Sequence, residues 1–176
     1  MENEKKSLSP VVAGLLISLV LVILTMFFSF AGLQSQSWVQ WVGYAVIIVG
    51  IIWSTIYYSR QELHRFGFGD LFAYGFRLTT VIICIMIVFT LLFSYLNPEM
   101  KEQVMEATRE KFSSQPGISD SDADRFLTLF EKNYTLILLI GVIFSYLMLG
   151  VFGSLLGAAL AKKRPTSPFD SIDKQP

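Results

Sequence analysis

Residues 150–164 read GVFGSLLGAALAKKR, the closing third of a long apolar run that stops abruptly on three cations. Gly153, Gly157 and Ala161 recur every four residues, and so do Gly150, Ser154 and Ala158. Residues four apart lie one above another on a helix, so the two rows together leave one side of this helix almost bare. In lipid a bare side has a use. Helices there associate by close packing and not by escape from water, and small residues let backbones approach. The six positions are therefore read as a helix-packing face. Packing inside the chain, against the first or second span, is the first expectation; a seam between two copies is the second.

Outward from this stretch, the uncharged run reaches back to Tyr134, and three more precede it at about 11–33, 39–58 and 78–96. About 20 helical residues cross a ~30 Å hydrocarbon core, and each run is long enough or nearly so. The chain is 53% hydrophobic and its mean hydropathy is +0.54, values of the membrane class. The expected fold is all-α: an integral membrane four-helix bundle with an extracytoplasmic helical hairpin between spans three and four. One membrane domain would cover 11–164, between an N-terminal tail at 1–10 and a disordered tail at 165–176. A cleaved signal peptide is the competing reading of the first run, since Ser29-Phe30-Ala31 has a small-x-small look. Signal h-regions of about 7–15 residues are much shorter than this run, which favours a retained span.

Trp38 and Trp41 open the second span, and Trp53, Tyr57 and Tyr58 close it, as expected of aromatic belts at the two headgroup levels. Between spans two and three, Phe68, Phe72 and Phe76 share one helical stripe, flanked by Asp70 and Arg77. That stripe is read as interfacial, with a helix starting near Gly69 or Asp70. Arg77 would snorkel to phosphates, and Asp70 would sit in a helix's first turn. Lys162, Lys163 and Arg164 would mark the interface at the end of the last span. The hydroxyls of span three are expected to bond back to their own helix.

Residues 97–133 form the sizeable extramembrane piece. Asn97 reads as an N-cap followed by Pro98, and Pro116-Gly117 as a break. Ser119 and Asp122 resemble a capping box for a second helix. Ala123, Phe126, Leu127 and Phe130 would face Met100, Val104, Ala107 and Phe112.

Lys and Arg near span ends fix orientation. Nine of them fall on one side: Lys5, Lys6, Arg60, Arg65, Arg77, Lys162, Lys163, Arg164 and Lys174. The hairpin carries five against eight acids, a net charge of −3. Four spans with both termini cytoplasmic and the hairpin outside satisfy this sorting.

Two stretches, GFGDLFAYGFR entering span three and GVFGSLLGAALAKK closing span four, together with four spans and an acidic helical loop, resemble the domain-of-unknown-function family four-one-nine-nine. Its members are small four-span membrane proteins of Gram-negative bacteria. The resemblance covers about Ser7 to Lys163 and implies a bundle in the bacterial inner membrane. It brings no activity, cofactor or catalytic residue with it.

The chemistry-bearing residues are sparse. Asp120-Ser121-Asp122-Ala123-Asp124 begins like a calcium loop with Glu131 at position twelve, but Arg125 stands where such loops need Gly. Acids opening a helix explain the same letters. His64 is the single histidine, read as a solvated loop residue, and Cys84 is read as a buried, inert thiol. No cofactor, metal or nucleic-acid partner is expected. The partners expected are the lipid bilayer and either a membrane-protein partner or a second copy. A non-enzymatic interaction or scaffold protein is the first functional reading. A small transporter or channel for a hydrophobic or weakly polar solute is the alternative, disfavoured because the spans hold no ionisable residue.

Overall fold

A computed structural model of the chain describes residues 8–33, 36–61, 66–113 and 120–161. They form six helices: α1 (Pro10–Phe30), α2 (Ser37–Gln61), α3 (Phe68–Leu96), α4 (Glu99–Ser113), α5 (Asp120–Lys132) and α6 (Tyr134–Leu160). Four of them, α1, α2, α3 and α6, are long and apolar enough to cross a membrane. The protein is a multi-pass, all-helical membrane protein. Its spans cover their outsides with large apolar residues: Leu15, Leu19, Ile23, Val49, Leu92, Ile140, Phe144 and Leu160 are all exposed. A water-soluble monomer rarely tolerates so much contiguous apolar surface; hydrocarbon welcomes it.

Local sequence sets the helix ends. Ser9 caps α1, its hydroxyl accepting from the Val11 N–H, and Pro10 takes the first helical position, where no N–H is needed. At the other end Gly32 adopts φ +67°. Leu33 donates to the Phe28 carbonyl and Gly32 to that of Ser29, the paired bonds of a Schellman ending. The Ser29-Phe30-Ala31 run is thus the C-terminus of α1. For α3, Asp70 accepts from the Gly67 N–H at 3.1 Å, half of a capping box. The acid placed in the first turn by its charge is there, and α3 begins at Phe68, slightly earlier than Gly69.

Asn97 corrects the sequence reading. Its side-chain amide does not cap α4 but turns back to the Phe93 carbonyl at the end of α3 (3.1 Å). Asn133 does the same for Leu129 at the end of α5 (3.0 Å). Each of these carbonyls also accepts from the backbone N–H of the same asparagine, at 3.0 and 3.1 Å, so the amide adds a second bond that fastens the residue to the helix end.

The chain divides into two compact units, Met1–Ile82 with Leu147–Pro176, and Ile83–Tyr146; both borders fall inside helices. In the first unit Ala13, Ile17, Leu21, Ile47, Ile51, Leu71, Tyr74, Leu78 and Ala158 are buried. Close approaches there give the helix order. Ile17 of α1 lies against Gly50 of α2, and Val81 of α3 against Gly14 of α1. Ile51 and Thr55 of α2 lie against Gly153 and Gly157 of α6, while Thr79 of α3 lies against Gly150 of α6. The sequence alone did not specify this ring of α1, α2, α6 and α3.

In the second unit α4 and α5 face one another, joined by an exposed ion pair between Lys101 and Glu131 at 3.4 Å. Leu127 is buried, but Phe126 is 40% and Leu129 60% exposed. Leu127 shares its face with Asp124, Thr128 and Glu131, one to four residues away. The linking residues 114–119, with Pro116-Gly117 and Ser119, lie outside the described residues, as do the side chains of Phe112 and Ala123.

Candidate functional site

The two rows on α6 meet different helices. On the first row Gly150 meets Thr79, Ser154 meets Gly75, and Ala158 packs with Leu71. As α6 advances by four residues, α3 retreats by four, an antiparallel zipper. A Cβ added at Gly75 would lie 2.8 Å from the Cβ of Ser154 and 3.1 Å from its Cα. On the second row Gly153 meets Ile51, and Gly157 meets Thr55, where an added Cβ would come within 3.3 Å of the Ile52 Cα. Here both helices advance together, so α2 and α6 run parallel. Ala161 is buried in a cluster with Leu71 and Ala158, against which Tyr58, Phe66 and Phe72 pack. The nearest side chains to Gly150, Gly153 and Gly157 belong to α2 and α3.

The two stretches that carry the family resemblance are therefore the two sides of one contact. In GFGDLFAYGFR, Asp70 caps the helix, Leu71 and Tyr74 are buried, and Gly75 admits Ser154. In GVFGSLLGAALA the small residues receive them. The motif residues do packing work.

Five hydroxyl-bearing residues of this unit show how polar atoms are kept quiet in an apolar setting. Ser18, Thr55, Thr79 and Ser154 are buried and donate to their own helices, to the carbonyls of Gly14, Ile51, Gly75 and Gly150 respectively. Thr80 donates likewise to Phe76. Back-bonding satisfies the hydroxyl without a partner helix.

At the end of this unit where α1 begins, a tyrosine clamp forms that sequence reasoning missed. The Leu8 N–H donates to Gln61 Oε1 at 2.8 Å, and the Tyr74 hydroxyl donates to the Leu8 carbonyl at 3.0 Å. The Tyr74 ring stacks on Tyr58 with centroids 4.1 Å apart, and Tyr58 stacks on Phe66 at 4.9 Å. The segment before α1 is thereby tied to the end of α2 and the start of α3. Tyr58 belongs to this cluster and not to a lipid-facing belt beside Trp53 and Tyr57, which stack on each other at 5.3 Å with their rings exposed. Nothing in the spacing of the tyrosines separates these two fates.

Of the interface residues, Trp38 and Trp41 are exposed at the head of α2, with Trp38 edge-on to Phe28. Phe68 and Phe76 are exposed. Phe72 is half-buried, stacked on Phe76 and packed on the Leu71 cluster, so the stripe is only partly lipid-facing. Arg77 is exposed one residue after Phe76. Lys162, Lys163, Arg164 and His64 lie outside the described residues. Cys84 is exposed on α3, not buried. An apolar residue on a span has no reason to turn inward when lipid is the solvent. Asp124 and Glu131 of the calcium-like stretch are exposed on α5, Glu131 paired with Lys101, while the side chains of Asp120 and Asp122 lie outside the described residues.

Two cavities stand out on the surface. A cleft of about 940 Å³ opens between α4 and α5, lined by Lys101, Glu102, Glu106, Arg109, Asp124 and Glu131 among others. A groove of about 420 Å³ between α1 and α2 is apolar throughout, lined by Leu16, Ile17, Val20, Ala45, Val49 and Gly50 among others. The first suits a charged partner surface; the second suits a hydrocarbon.

Residues 12–163 match the family described as protein of unknown function (DUF4199). No curated protein and no solved structure matches the chain.

Proposed function

The chain belongs to the DUF4199 family, and from that premise we propose that it is a non-enzymatic interaction or scaffold protein of the bacterial inner membrane. Both termini lie in the cytoplasm and the α4–α5 hairpin lies outside. The observation that carries this reading is the division of polar from apolar space. Four buried hydroxyls of the first unit, on Ser18, Thr55, Thr79 and Ser154, bond within their own helices, while the charged cleft opens between α4 and α5. Recognition of another protein is thereby assigned to the hairpin, whose acidic excess suits a basic surface, and anchoring is assigned to the spans. The orientation draws support from the sorting of Lys and Arg.

The test is photo-crosslinking in native membranes from the Glu102 and Glu106 positions on α4. A single discrete adduct, lost when Asp124 and Glu131 across the cleft are changed to Lys in a protein that still unfolds normally, is the expected result. A fluorescent protein fused after Pro176 should glow, and alkaline phosphatase at the same place should be inactive; the reverse pair would invert the assigned orientation. A transporter for a hydrophobic solute is the second reading, favoured by the apolar groove between α1 and α2. Saturable movement of an apolar solute by purified protein in liposomes would put it first.

A further inference from the structure

The apolar groove between α1 and α2 lies below an aromatic cluster shared by the same two helices. On α2, Trp38, Val42, Ala45 and Val49 advance by four, three and four residues and so keep to one side of the helix. On α1, Leu16, Val20, Leu24 and Phe27 advance by four, four and three, with Phe28 next to Phe27. The two sides meet near the α1–α2 turn: the Trp38 ring lies edge-on to Phe28 with centroids 5.6 Å apart, and Phe28 lies edge-on to Phe27 at 5.8 Å. Deeper along the helices a hollow of about 420 Å³ opens, where Ala45 and Gly50 carry little or no side chain. Its rims face outward, with Leu16 55%, Val20 46% and Val49 62% exposed. At the end farther from the turn Ile17 closes on Gly50; its Cδ1 would lie 3.0 Å from a Cβ added there.

We propose that this groove seats one acyl chain of a phospholipid, drawn from the leaflet at the α1–α2 turn, with its ester end against Trp38. Depth selects this occupant. At 1.5 Å per residue, Gly50 stands about 18 Å along α2 from Trp38, and Leu16 about 18 Å along α1 from Phe28. One leaflet of a ~30 Å hydrocarbon core is about 15 Å deep. Trp prefers the headgroup level, so a hollow that begins under Trp38 and stops at Gly50 stops near the midplane. An acyl chain ends there, whereas a span from a second copy or another protein continues to the far side. The lining is apolar throughout and gives a polar solute nothing to bond to. Trp38, exposed at the head of α2, carries an N–H that can donate to an ester oxygen. An unfilled hollow forfeits dispersion contacts on one side. Hydrocarbon therefore enters it, and a chain lying there touches two helices instead of one. The seat rests on neither functional reading and holds whichever side of the membrane the hairpin occupies.

Photolabelling of the full chain in phosphatidylcholine vesicles tests it, with a diazirine near the end of one acyl chain of the lipid. Peptides holding Leu16 to Val20 and Ala45 to Gly50 should be labelled several-fold more than those holding Ile140 and Phe144, which are exposed on α6. Moving the diazirine next to the ester should shift the labelling to the peptide holding Trp38. Ala45→Phe fills the hollow from an exposed position and should remove the excess. Gly141→Leu, which adds bulk where nothing lies within 4 Å of an added Cβ, should leave it intact. Far-ultraviolet circular dichroism in the same vesicles checks that both variants stay folded. Labelling spread evenly over all exposed faces, or unchanged by Ala45→Phe, would mean ordinary boundary lipid and overturn the proposal. A disulfide-linked dimer through Val49→Cys on a Cys84→Ser background, with the groove unlabelled, would overturn it in favour of a second copy.

Discussion

Gly75→Ala adds one methyl group where α3 meets α6, and the consequence can be worked from the distances there. The new carbon would sit 2.5 Å from the Ser154 hydroxyl oxygen, 2.8 Å from its Cβ and 3.1 Å from its Cα. The first contact yields to a rotamer change, but the last is backbone. Carbon atoms rest at about 3.5–4.0 Å, so α3 must back away by roughly half an ångström or more along a contact shared with Leu71 and Thr79. Overpacking of this kind costs about 1–3 kcal/mol, and the gain in helix propensity from Gly to Ala offsets up to about 1 kcal/mol of it. A net loss of up to about 2 kcal/mol is expected after the full offset, and about 1–3 kcal/mol relative to a Gly→Ala change at an uncrowded helical site. Gly141→Ala is the matched control, because nothing lies within 4 Å of its added Cβ; it should be neutral or slightly stabilising. Ser154→Gly in the Gly75→Ala background removes the two shorter contacts and should restore about 1 kcal/mol of coupling energy. Reversible unfolding in mixed detergent micelles, followed by far-ultraviolet circular dichroism, measures these variants, the Ser154→Gly single variant and the wild type. If Gly75→Ala behaves as Gly141→Ala does, or the coupling is zero, the zipper between α3 and α6 does not hold the bundle.

The parallel contact should be less forgiving of bulk. Gly157→Leu, facing Thr55 and the Ile52 backbone, is expected to abolish folded protein, with Gly153→Leu milder because Ile51 presents only side-chain atoms; monodisperse yield from detergent reads both, and equal wild-type yields would refute the ranking. Tyr74→Phe keeps the ring stack but removes the bond to Leu8, costing about 0.5–1.5 kcal/mol in the same unfolding assay. An unchanged midpoint would mean that the segment before α1 is held by other contacts. Lys101→Ala should shift stability by less than about 1 kcal/mol, since its pair with Glu131 is solvent-exposed; a larger loss would show that the ion pair organises the hairpin.

What was legible in the sequence follows from lengths and charges. An uncharged helix of sufficient length has a low-energy home in a bilayer, and that fact needs no neighbour. Asp70 marks a helix start because such a cap is satisfied locally. The two small-residue rows mark a packing face for the same reason: a period of four is a property of one helix. The candidate cleft is less legible. Its lining brings Lys101, Glu102, Glu106 and Arg109 opposite Asp124 and Glu131, and no spacing rule joins residues on two helices separated by a link of variable geometry.

By itself, then, the sequence determined that four helices cross a membrane, about where they start and stop, and which side of the last is bare. Only the tertiary structure decided that the rows on that side divide between α2 and α3, that Tyr58 and Tyr74 close a clamp on Leu8, and that Cys84 faces outward. The reason is the solvent. In water, a helix's apolar stripe names its inner face; in lipid every face of α6 is apolar, so partner choice rests on the fit of methyl groups into glycine gaps. That fit exists only once both helices are in place.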